Sequence, residues 1–198
     1  MAMSSDPPAE DIWSGIKQTM KILGIIAASF LAIIAIAVLA YKLAYPTYTY
    51  RYKMTVEIEV DGQVRSGASV IEGRLVRQPS IVVPVPRVLR KFSGEAVFVE
   101  LGNGRHVIAA LASAGGFEHD FAKNIVPAHF GLSGNDHDLV KYPKLQGRWQ
   151  LGSGTRPGLP TFVTFTDSKD PTTAVVVEPQ DFEKIFGPGV RPPVIMMR

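Results

Sequence analysis

The chain reads as one N-terminal transmembrane α-helix followed by a β-dominated globular domain, all-β or α+β. About seven short strands and one or two small helices are expected in that domain. Three observations predict this. Twenty uncharged residues without proline, ILGIIAASFLAIIAIAVLAY, lie between Lys21 and Lys42. The stretch Tyr48–Val60 alternates apolar and polar residues without a break. Asp61-Gly62 and Gly102-Asn103-Gly104 then punctuate strand-like runs as hairpin turns do.

The apolar stretch comes first. As a helix it spans about 30 Å, the thickness of the bilayer hydrocarbon. Only a helix satisfies its own backbone in lipid without partners. Trp13 on one side and Tyr41, Tyr45 and Tyr48 on the other suit the interfacial aromatic belts. Ile12, Trp13, Ile16 and Met20 recur at helical spacing, so the helix is expected to start near Asp11. The layout is then a disordered tail over 1–10, an amphipathic lead-in over 11–21 and the membrane helix over 22–41. A linker over 42–47 leads to the β-rich domain, 48–198. A cleaved signal peptide, with Val38-Leu39-Ala40 before the cut, fits worse, because signal cores run about 7 to 15 residues. A retained signal anchor is expected. Lys17 and Lys21 on one flank nearly balance Lys42, Arg51 and Lys53 on the other, so charge counting does not orient it. The short tail and the lack of cysteine favour the inner membrane with the domain in the periplasm; a cytoplasmic domain is the alternative. Gly24, Ala28 and Ala32 form an i, i+4, i+8 stripe that permits helix–helix contact, with a membrane-protein partner or a second copy.

In the domain, Tyr48, Tyr50, Tyr52, Met54, Val56, Ile58 and Val60 share one strand face, and Arg51, Lys53, Glu57 and Glu59 the other. The return strand is Gln63 to about Arg77, with Gly67 or Gly73 as expected bulge sites. Pro79, Pro84 and Pro86 mark the next stretch as an edge or an excursion loop. A second hairpin pairs Glu95–Leu101 with Arg105–Leu111. Residues 112–160 show no steady period and read as an irregular insertion with a short helix around Phe117–Lys123. Strands follow at Thr161–Thr166 and Thr173–Glu178, then a helix over QDFEKIFG with Phe186 inward and Gly187 as a left-handed cap. Val190–Met197 is a proline-broken strand or extended tail.

RSGASVIEG (65–73), GEAVFVELGNGR (94–105) and DPTTAVVVEPQDFEKIFGPGVR (170–191) carry a resemblance. They resemble a family of uncharacterised proteobacterial proteins with an N-terminal membrane helix and a closing segment of this DPT…VxPxD…FGxGV type. Thr173 and Ala174 stand where serine and valine are expected of that family. The resemblance implies the same anchor-and-domain layout and assigns no activity, cofactor or site.

Composition narrows the chemistry. The absence of cysteine removes disulfides, thiol nucleophiles and zinc–thiolate sites. A net charge of +3 is too mild to imply nucleic acid. No P-loop or dinucleotide fingerprint is present, and Gly152-Ser153-Gly154 lacks the strand that a nucleophile elbow needs. His119, His129 and His137, flanked by Glu118, Asp120, Asp136 and Asp138, are weak metal-ligand candidates whose spacing matches no signature. Between Gly73 and Gly94 lie five cations, Arg74, Arg77, Arg87, Arg90 and Lys91, and no acid. They suit a membrane surface or a protein partner; the plainer reading is a solvated edge that blocks strand pairing. The sequence favours a non-enzymatic, membrane-anchored envelope protein, a protein-binding or accessory complex subunit without cofactor. The alternative is an anchored metal-dependent hydrolase.

Overall fold

A computed structural model describes residues 9–79, 87–113, 120–133, 135–152, 158–167 and 169–198. It forms two compact units, Met1–Pro46 and Thr47–Arg198. The first is a single helix, α1 (Ala9–Ala44), with an apolar segment Lys17–Ala44 long enough to cross a membrane. That fits a single-pass membrane protein. Helical geometry begins within the stretch read as tail and runs through the first half of the expected linker, because no residue between Ala9 and Tyr45 breaks it; Pro46 is the first that does.

Among the described residues the second unit holds nine strands in two antiparallel sheets, two more strands than the sequence suggests. β1 (Thr47–Val60) and β2 (Gln63–Arg77) form the long hairpin, paired without a slip from Val60↔Gln63 to Thr47↔Val76. Asp61 (φ 52°) and Gly62 (φ 76°) make its type I′ turn. β3 (Val88–Ser93) lies on β2 as an edge strand, so the stretch after Pro79 is part edge, as expected; Pro84 and Pro86 lie outside the described residues. On the other side of β1 lie β9 (Val194–Met197) and then β6 (Trp149–Leu151). β4 (Val97–Gly102), β5 (Arg105–Ser113), β7 (Pro160–Phe165) and β8 (Ala174–Val177) form the second sheet in that order. The β4–β5 turn uses Asn103 (φ 55°) and Gly104 (φ 74°), with a register slip between Glu100 and Gly102.

Alternation along β1 turns Tyr52, Met54, Val56 and Ile58 into one shared core with Val97, Val99, Val107 and Phe162 of the second sheet. Each fully buried side chain of this kind contributes about 1.5–3 kcal/mol. Gly67 and Gly73 are not bulges. A methyl group at Gly67 would fall on the Phe98 carbonyl oxygen where β2 passes β4, and one at Gly73 would meet the Tyr50 ring at 2.5 Å. Both are glycines because another group lies over the backbone.

The stretch expected to be irregular is partly ordered. α2 (Asp120–His129) packs on β5 through buried Phe121, Ala122, Ile125 and Val126; it starts and ends later than the expected Phe117–Lys123. A 3-10 helix, Asp136–Lys144, buries Leu139 and Tyr142 against β1. The closing helix α3 (Phe182–Phe186), preceded by a 3-10 turn at Pro179–Asp181, sets Phe182 edge-on to Phe162 at 5.5 Å. Phe186 is buried as expected, but Gly187, at φ 100° and ψ 166°, is extended rather than left-handed helical. That conformation is open to glycine alone and still ends the helix.

Candidate functional site

The five cations do not share a face. Residues directly opposite in an antiparallel pair project to the same side. Arg74 is opposite Lys91, on the side away from the core, whereas Arg90 is opposite buried Leu75 and Arg77 opposite Val88. Glu72 accepts from Arg74 Nε at 2.6 Å and from Arg51 Nε at 2.7 Å, which holds its carboxyl below the usual carboxylate range. Arg77 pairs with Asp136 at 3.4 Å, and Arg87, at the start of the edge, is exposed and accepts from the Gln78 N–H at 2.8 Å through its carbonyl. Two of the five cations, Arg74 and Arg77 of β2, are thus paired with acids from outside the basic stretch.

The histidines are likewise dispersed. The His129 ring stacks face to face on Trp149 at 4.0 Å, and His137 is exposed. The acids beside His137 are engaged elsewhere. Asp136 meets Arg77, and Asp138 accepts from Lys141, from the Ser133 hydroxyl and from the Ser133 N–H, which hold its carboxyl well below the ordinary value. Among the described residues no three His, Asp or Glu side chains come together; His119 lies outside them, as does Ser153. Gly24, Ala28 and Ala32 lie along one side of α1, all exposed, and nothing stands within 4 Å of a methyl placed at Gly24.

The feature that sequence reasoning missed is the outer face of the four-stranded sheet. Register sets Phe98 opposite Ile108, Ile108 opposite Val163, and Val163 opposite Val176. One apolar row therefore crosses all four strands on the side facing away from the core. Phe98 is 55% exposed and Val176 57%. The adjoining row brings His106 between the Phe98 and Phe165 rings, at 5.4 and 6.0 Å and nearly parallel to both. Exposed sheet faces are ordinarily polar, as the outer face of β1 is with Arg51, Lys53, Glu57 and Glu59. A contiguous apolar face is an interaction surface by default. One signal in the chain pointed to it. Ala174-Val175-Val176-Val177 is apolar at every position, so it has no polar side to give to water.

No protein-family model matches the chain, and neither a curated protein nor a solved structure is found to be similar to it.

Proposed function

We propose that this chain is a non-enzymatic, single-pass protein of the inner membrane whose periplasmic β domain binds a protein partner as an accessory subunit. The occupant of the site is the apolar surface of an envelope or membrane protein, seated on the outer face of the four-stranded sheet. The observation that carries this reading is the row Phe98, Ile108, Val163 and Val176, with Phe165 beside it. Apolar side chains held on rigid strands lose little entropy on docking, and aromatic rings at the centre of a patch supply most of the affinity. The α1 helix gives the partner a membrane-bound address, and the resemblance to anchored proteobacterial proteins agrees with that layout.

A photo-crosslinking residue placed at Val176 in cells tests it. The expected result is one discrete product, lost in Phe98→Glu and not formed from Gln150, an exposed position on the other sheet. A product containing only this chain makes the occupant a second copy. Failure of Val176 to crosslink, or the same products from both positions, overturns the reading. A reporter fused after Arg198 that is active only outside the cytoplasm supports the periplasmic placement, and one active in the cytoplasm ends it.

A further inference from the structure

On the outer face of the five-stranded sheet, strand pairing regroups cations that are scattered along the chain. Arg51 and Lys53 project there, opposite to the buried Tyr50, Tyr52 and Met54 of the same strand. Arg74 stands opposite Thr49 of β1 on one side and Lys91 of β3 on the other. The next row along β1 sets Arg51 opposite Glu72. In the row after it, Lys53 and Arg198 exchange both backbone hydrogen bonds, at 2.8 and 3.0 Å. Arg148, the residue before β6, lines one hollow of about 180 Å³ together with Lys53 and Arg198. All six cations are exposed. Three acids border them: Glu72, Glu57 in the wall of that hollow, and Glu95 near Arg51. Six cations against three acids leave an excess of three positive charges, as large as the net charge of the whole chain, +3. The positive charge of the protein is therefore gathered on one sheet face.

Chain continuity supplies the anion. β1 begins at Thr47, directly after Pro46, and Arg51 and Lys53 stand five and seven residues past that proline. A strand advances about 3.3 Å per residue, so both lie within roughly 25 Å of chain from Pro46. Tethered at that length, docking on lipid headgroups is an intramolecular step, and contacts that are weak singly suffice together. Among the described residues Lys53, Lys91, Arg148 and Arg198 form no ion pair, while Arg51 and Arg74 share the one carboxylate of Glu72. Nucleic acid fits less well, because the outward residues of these rows include no ring on which a base could stack. We infer that this basic face docks on anionic lipid headgroups of the bilayer that holds α1. It is a different surface from the apolar face proposed for a protein partner, and the inference holds whichever side of the membrane the domain occupies.

The chain has no cysteine, so Gln150→Cys, on this face opposite Met196, carries a fluorescent donor alone. The full-length protein is placed in nanodiscs of phosphatidylcholine, alone or mixed with phosphatidylglycerol, and energy transfer to a headgroup-labelled lipid is measured. Transfer should rise in the anionic discs and return to the neutral-disc level in high salt, which screens the attraction. A donor at Val176→Cys, on the other sheet, should show no such gain. Each cation near a negative surface is worth about fivefold, so Lys53→Gln combined with Arg148→Gln should weaken docking about 25-fold. Both side chains are exposed, and circular dichroism reports that the fold is intact; the lipid and salt comparisons decide even if that variant is not. Equal transfer in neutral and anionic discs, a gain that high salt leaves unchanged, a gain at Val176 in place of Gln150, or full docking by the folded double variant overturns the proposal. An oligonucleotide that binds in neutral discs, with no response to anionic lipid, overturns it in favour of a nucleic acid.

Discussion

Glu72 and Tyr142 show how single side chains set the charge and the pH response of this domain. Glu72 neutralises Arg74 and Arg51 from one position, and its side chain is 13% exposed while theirs are 61% and 71% exposed. Its carboxyl lies below the ordinary value, so what it adds is present at neutral pH and is lost as acid protonates it; salt screens it. The phenols act in the opposite direction. Tyr50, Tyr52 and Tyr142 are raised by burial above the ordinary value of 10.0. A group raised in the folded state leaves stability whole below its unfolded value, so the loss begins above roughly pH 10 and continues as pH rises. An alkaline titration of phenolate absorbance, read beside circular dichroism, checks this. Tyr50, Tyr52 and Tyr142 ionise only as the sheets unfold, and Tyr142→Phe makes the decline of stability with pH shallower. Ionisation of these three while the circular dichroism stays native would refute this. Little of it was legible in the chain. The stretch free of acids between Gly73 and Gly94 ends one residue short of Glu72, and only β-register shows that Arg74 and Arg90 project to opposite sides.

Elements were legible where a local signal was sufficient. Asp61-Gly62 and Asn103-Gly104 specify two-residue turns, and unbroken alternation in β1 specifies a half-buried strand, so both hairpins stand where the sequence puts them. The segment between β5 and β7 gave no such signal. α2 is ten residues long and contains Pro127, the 3-10 helix contains Pro143, and β6 is three residues paired with β9, a strand far along the chain. No window of sequence displays a partner that distant. The same limit explains Gly67, read as a bulge but required by the crossing of β2 and β4. Gly67→Ala sets a methyl group against the backbone of Phe98, which cannot yield as a flexible side chain would. The expected loss is about 1–3 kcal/mol, the range for overpacking a tight contact. Gly152→Ala, where the added methyl meets nothing within 4 Å, is the control. Equal urea midpoints for the two variants would show that the strands separate at that crossing at little cost.

At the scale of the whole molecule, the division between Pro46 and Thr47 is also a division of energetics. Among the described residues the hydrophobic core and the side chains packed on it lie between Tyr48 and Met197. A domain of about 150 residues buries some 68–70% of the surface its unfolded chain exposes, enough to be stable without staples. Residues 47–198 alone should therefore fold with the full set of sheets and unfold in one cooperative step. Hydrogen exchange should protect β1, β2, β5, β7 and β9 most, because each of these strands is paired on both sides. The isolated domain should also self-associate with rising concentration, since the apolar face on β4, β5, β7 and β8 is then free to meet a second copy. Phe98→Glu should suppress that association and leave the unfolding midpoint nearly unchanged, because Phe98 stands outside the core. If 47–198 is unfolded while the full chain in micelles is not, α1 supplies folding energy and not only attachment. If the domain stays monomeric at every concentration, the outer face is less adhesive than its composition implies, and the docking reading loses its physical basis.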